Sequence, residues 1–149
     1  MIMDDLNCIL WNCSGITSGS SSQEKIDFIL TSTNFDFDIL ILVETHHKSI
    51  HDIQSTFHLY LNSFHLIHTG ALDDDPNAGI IILINKNFTI SNEGILVQGR
   101  LINFKISTNE NIIFQLFMDL PEKMHLGIKC RLWLMHYRKN IIQLTKTLF

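Results

Sequence analysis

The sequence predicts an α/β fold built on a mixed β-sheet, and three observations carry that reading. Two short segments, "LNCILWN" (residues 6–12) and "FDILILVE" (residues 37–44), are apolar on both faces. Strands of that kind are buried on both sides, as in parallel sheets covered by helices. A helix-length segment lies between them, which makes a strand–helix–strand unit. Several further apolar runs then follow at short spacing, as in an antiparallel meander.

In the first strand Leu6, Cys8 and Leu10 alternate against Ile9 and Trp11. "SGITSGSSS" then reads as a polar loop. Ser21, with Glu24 three residues on, fits a capping box. Ile26, Phe28, Ile29 and Leu30 suit a helix of about three turns that ends near Asn34. Two strands joined by such a crossover lie parallel, so both end at the same edge of the sheet. Asn12 and Glu44, the last residues of the two strands, are therefore expected side by side. Ligands of open α/β sheets gather outside the carboxyl ends of strands. A solvent turn would normally offer Gly, Asn or Pro after the strand, yet here the strand runs into Glu44, Thr45, His46 and His47.

Beyond this rim "SIHDIQSTF" reads as a short helix and "LYLNSFHLIHT" as an extended segment. "ALDDDPNA" is an acidic turn. "GIIILIN", "ILVQGRLINFKI" and "NIIFQLFM" read as strands separated by turns at "KNF", "SNEG" and "STNEN". In the tail, Leu132, Trp133 and His136, then Ile141, Leu144 and Leu148, recur at helical spacing, which predicts an amphipathic helix. The expected division is residues 1–121 as the main part of a domain and 122–149 as a basic helical tail.

The chain has 149 residues, 46% hydrophobic and 17% charged, a globular composition of single-domain length. No stretch approaches the roughly 20 apolar residues of a membrane span, which predicts no membrane partner. The start lacks a signal-peptide pattern. The three cysteines form no Cys-x-x-Cys pair, which argues against a disulfide framework or a cysteine-based zinc site. The expected location is a reducing interior, cytoplasm or nucleus. The net charge of −4 hides an asymmetry, because all 15 acidic residues lie before residue 123. The basic tail reads either as a solvated helix face or as a phosphate-contacting patch.

Four short motifs occur in order: Asn12 to Gly15, Val43 to His46 ("VETH"), Gly79 to Ile84, and Gly99–Arg100, with Lys25 on the intervening helix. Together they resemble the amino-terminal part of an endonuclease/exonuclease/phosphatase domain. The likeness is greatest to the apurinic-endonuclease-like domain of non-LTR retrotransposons, over residues 6 to about 107. The resemblance implies a four-layered α/β sandwich, here partial, with its carboxy-terminal half missing. It also implies Mg²⁺-dependent phosphodiester hydrolysis with nucleic acid (DNA) as substrate. Within it Glu44 is a catalytic metal ligand, and Asn12 lies against the metal or the scissile phosphate. Mg²⁺ is a hard cation that takes carboxylate oxygen and keeps several waters.

The chain departs from the family pattern at "FMDLP" (residues 117–121), where Phe117 and Asp119 replace the family's Asn and Tyr. The later Gly-Asp-x-Asn and Ser-Asp-His motifs are absent, and no Gly-Asp or Asp-His dipeptide occurs. The resemblance therefore implies a truncated endonuclease-like domain with little or no activity alone. Two alternatives remain: a non-catalytic fragment that binds a partner through an open sheet edge, and a lipid- or inositol-phosphatase-type member of the same superfamily. The six histidines between His46 and His68 suit no short zinc motif, and His46 is the one expected to line the groove. Asp73, Asp74 and Asp75 lack the glycine and terminal Glu of an EF-hand and read as a solvated turn. Arg100 reads equally as a phosphate contact or a surface residue.

Overall fold

The computed structural model describes residues 7–16, 20–34, 36–107, 113–119, 131–138 and 141–147, the last three segments as backbone pairing alone. It is an α/β structure with two sheets and two helices among the described residues. The chain forms two compact units, residues 1–86 and 87–149.

The first unit is the strand–helix–strand pattern made real. β1 (Cys8–Asn12) pairs parallel with β2 (Ile39–Val43), from Cys8 opposite Ile39 to Asn12 opposite Val43. α1 (Ser20–Ser32) is the crossover between them. The sheet continues through β4 (Ile80–Asn85) and β3 (Phe64–Thr69), both pairings antiparallel, in the order β1-β2-β4-β3. It is therefore mixed, as expected.

α1 places Ile26, Ile29 and Leu30 on one face, and α2 (Ile50–Phe57) adds Ile53 and Phe57. These pack with Leu40, Leu42, Ile81, Leu83 and Phe64 of the sheet into one buried cluster. Phe37 stacks on Phe64 with ring centroids 5.0 Å apart. The alternate residues Ile39, Ile41, Val43, Ile80, Ile82 and Ile84 are buried as well. That explains why β2 and β4 are apolar at nearly every position. Phe28 leaves the helix core, stays exposed, and meets Trp11 edge-on with centroids 6.3 Å apart.

Two local expectations are corrected in this unit. α1 begins at Ser20, so Ser21 lies inside its first turn rather than before it. A cap interaction is instead found at α2, where the Asp52 carboxylate accepts the backbone N–H groups of Lys48 and Ser49 at 2.8 and 2.9 Å. Those bonds hold the Asp52 carboxyl below the usual carboxylate range. The extended reading of residues 59–69 holds only from Phe64. Before it, the N–H groups of Ser63 and Phe64 both donate to the Tyr60 carbonyl in tight turns.

Loss of the Asp52 cap, as in Asp52→Ala, is expected to cost about 1 kcal/mol. Because its folded pKa is depressed, the contribution is complete above the ordinary carboxylate range. It is lost as pH falls through the lower folded value. Urea unfolding of the variant at pH 7 and pH 3 checks both parts, since the deficit should shrink at pH 3.

The second unit is an antiparallel meander, β5-β6-β7-β8-β9. Its strands are β5 (Thr89–Val97), β6 (Leu101–Ser107), β7 (Ile113–Asp119), β8 (Arg131–Arg138) and β9 (Ile141–Thr147). β4 and β5 lie in different sheets, so the short "KNF" link is not a hairpin. "SNEG" is not a turn either: it lies inside β5, with a register shift between Ser91 and Gly94. A bulge absorbs the extra residue and the glycine together. The turn falls at residues 98–100, where Gly99 takes φ +70° and Arg100 N–H donates to the Val97 carbonyl at 3.1 Å. Arg100 thus sits in the turn that leads into β6.

The tail overturns the helical reading. β8 pairs with β7 and then with β9, the latter from Arg138 opposite Ile141 to Leu132 opposite Thr147. The same residues also alternate, and Trp133, Tyr137, Ile141, Ile142 and Thr145 favour strands. An open β7 supplies the ladder that settles the ambiguity. The "STNEN" turn beyond Ser107, Pro121 and the segment around Cys130 lie outside the described residues.

Candidate functional site

The rim outside the carboxyl ends of β1 and β2 is built by two interlocked turns. Backbone pairing continues past the strands: Cys13 N–H donates to Val43, Gly15 N–H to Glu44 and Ile16 N–H to Thr45, at 2.8–2.9 Å. Asn12 and Glu44 are thus brought to one sheet edge, the placement that a parallel crossover demands.

The Asn12 Oδ1 accepts the Ser14 N–H at 2.9 Å, closing a turn in which Ser14 and Gly15 both have positive φ, +46° and +91°. The Lys25 ammonium on α1 donates to the carbonyls of Cys13, Ser14 and Gly15, at 3.3, 3.5 and 2.9 Å. The glycine is required for packing too, since a Cβ there would stand 2.9 Å from the Nδ1 of His46. Cys13 is buried beneath this turn. Burial chiefly pushes its thiol up to about 12, with Lys25 pulling the other way and Glu44 adding to the rise. The thiol of Cys8, which is partly buried, is likewise pushed to about 12, by burial first and by Asp38 second.

The second turn is strained. Glu44 and His46 both have left-handed backbones, φ +52° and +59°. Such conformations in non-glycine residues persist only where surroundings over-determine them, and they cluster at functional sites. Here Thr45 N–H donates to the Gly79 carbonyl, His46 N–H to that of Ala78, and Ala71 N–H to that of His47. The half-buried Glu44 carboxylate has no hydrogen-bond or ion-pair partner among the described residues. The Nε2 atom of His46 is buried with no hydrogen-bond partner among the described residues.

Beneath Glu44 lies a polar chain that the sequence did not reveal. Thr45 and His47 are fully buried, and their Oγ1 and Nδ1 atoms are 2.7 Å apart. The His47 Nε2 faces the Nδ1 of His68 on β3 at 3.2 Å. Burial first, and the neighbouring His68 second, lower the His47 pKa to about 4, while Asp52 opposes them. His47 and His68 are 21 residues apart, and only the β3–β4 pairing joins them. No local spacing rule could have found it, because the left-handed His46 between Thr45 and His47 breaks the extended geometry in which such a pair shares a face.

For an ion, the donors present fit one class and not another. Among the described residues no three His, Cys, Asp or Glu side chains converge as a metal cluster. An unpartnered carboxylate at a rigid strand end suits a Mg²⁺ ion that keeps most of its waters. Asp73 is engaged by the Lys48 ammonium at 2.5 Å, a solvent-exposed pair at the acidic turn. No helix among the described residues is long and apolar enough to cross a membrane. Comparison with protein-family models and with curated proteins finds no match to this chain.

Proposed function

We propose that this chain carries the Glu44–Asn12 rim of a Mg²⁺-dependent phosphodiesterase of the endonuclease type, with nucleic acid as substrate and a retrotransposon-like origin. The proposed fold is part of a four-layered sandwich. The observation that supports it most is the strand-end pairing. It sets a carboxylate without a partner among the described residues, on strained backbone, beside an amide at the ligand-binding edge of a parallel strand pair. In this reading Glu44 is the ligand of the ion, and Asn12 borders it through the turn that its side chain closes. The bound ion would supply charge stabilisation at phosphoryl oxygens. The "VETH" and Gly99–Arg100 motifs favour the retrotransposon branch over lipid or inositol phosphatases.

The 149 residues lack the Gly-Asp-x-Asn and Ser-Asp-His motifs. General acid–base groups are worth typically about 10²–10⁴-fold each, so nicking by this chain alone is expected to be negligible. Millimolar Mg²⁺ or Mn²⁺ is expected to raise the melting temperature by a degree or two, and Glu44→Gln to remove that rise. Absence of a shift in the wild type would refute the ion site. Plasmid nicking abolished by Glu44→Ala would refute the inactivity instead.

One observation favours a partner-binding role as a second reading. β5 is the edge of its sheet, and Ile95, Leu96 and Val97 on it are each about half exposed. Open apolar edges invite strand addition. A monomeric, monodisperse chain at high concentration in light scattering would count against self-association through that edge.

A further inference from the structure

We propose that the Thr45–His47–His68 chain is an acid-sensitive latch on the loop that carries Glu44. While both imidazoles are neutral it ties residues 44–48 to β3, and a proton added to it releases that loop. The inference is independent of the phosphodiesterase reading.

The geometry carries it. With two neutral rings every contact in the chain can be a hydrogen bond. Either the Thr45 hydroxyl donates to His47 Nδ1 and His47 Nε2–H donates to His68, or both donations run in reverse. A second proton on the pair sets N–H against N–H at 3.2 Å. A first proton on His47 keeps the bonds but places a charge in a fully buried site. The charged and titratable groups around it among the described residues offer little compensation. His68 on β3 repels it. Asp52, on the first turn of α2, attracts it, but its carboxylate is already bonded to the Lys48 and Ser49 amides. The Lys48 ammonium adds positive charge on the same loop and is turned toward Asp73.

The fold is also shaped around this chain. Gly79 has φ +111°, and a Cβ there would overlap the Thr45 hydroxyl and stand 3.4 Å from His47 Nδ1. The loop is pinned on both sides of His47, through Thr45 N–H and through the Ala71 bond to the His47 carbonyl. With these backbone bonds as the remaining ties, loosening the imidazole removes the side-chain anchor of the segment that presents Glu44.

The sign follows from the lowered value of about 4 against an ordinary 6.5. The latch contributes fully above pH 6.5, weakens as pH falls toward 4, and contributes nothing below that. The test is imidazole and amide NMR on the full chain between pH 7.5 and 4. His47 is expected to titrate well below the ordinary range, with the amides of residues 44–48 shifting at the same midpoint. Titration near 6.5, or loop amides that ignore the His47 midpoint, would overturn the proposal. His47→Gln, which can still bond to both neighbours, is expected to flatten the fall in melting temperature between pH 6.5 and 4. An undiminished slope in that variant would also overturn it. If the variant does not fold, the wild-type spectra decide.

Discussion

Gly79→Ala is expected to destabilise the first unit by about 3–5 kcal/mol, from backbone strain and overpacking together. Gly79 has φ +111°, a region L side chains rarely adopt, and its missing Cβ leaves the room that the Thr45 hydroxyl occupies. Neither neighbour can retreat. Thr45 is fully buried and its N–H is bonded to the Gly79 carbonyl itself. Gly94→Ala is the control, because a Cβ there meets nothing within 4 Å, and its change should stay within about 0.5 kcal/mol. Urea unfolding of both variants gives the comparison. Similar midpoints for the two would show that the packing about Gly79 is looser than described.

Phe57→Ala is expected to cost about 3–5 kcal/mol as well, by a different route. Phe57 is fully buried in the cluster that joins both helices to the sheet. Ile53, Phe64 and Leu83 belong to the same cluster and are held by helix and strand backbone, which limits collapse into the void. Phe28→Ala removes a ring of the same size from an exposed position and should cost far less, mainly its edge contact with Trp11. Thermal melts of the pair separate burial from mere aromatic content. A Phe57→Ala variant as stable as Phe28→Ala would contradict the core assignment.

The rim was legible in the sequence because a parallel crossover leaves little freedom. Once residues 8–12 and 39–43 are strands flanking a helix, Asn12 and Glu44 must end together. The glycine at 79 was legible only as a motif member; its packing role needs Thr45 to be in place. The partnership of His47 with His68 was not legible. It depends on which strand lies beside β4, a long-range choice that no local pattern encodes.

The tail failed for a related reason. Leu132, Trp133, His136 and Ile141 satisfy a helical period, while the same stretch alternates well enough for a strand. The pairing of β7 with β8 decided between them. The turn at Gly99 was missed because Gly94 offered an equally good glycine a few residues earlier. Only the positive φ at Gly99 separates a turn glycine from one accommodated in a bulge.

The two desolvated cysteines turn the edge strand into its own reporter. With thiols pushed to about 12, Cys8 and Cys13 hold almost no nucleophilic thiolate at neutral pH. Cys13 is also buried, so an alkylating reagent should reach it only when the end of this strand and the turn after it open, whereas Cys8 is partly exposed. In a Cys8→Ser, Cys130→Ser background the rate of carbamidomethylation measures how often that opening occurs. Comparing pH 7 with pH 5.5, after correction for intrinsic thiol reactivity, would show whether opening of this strand accompanies protonation deeper in the molecule.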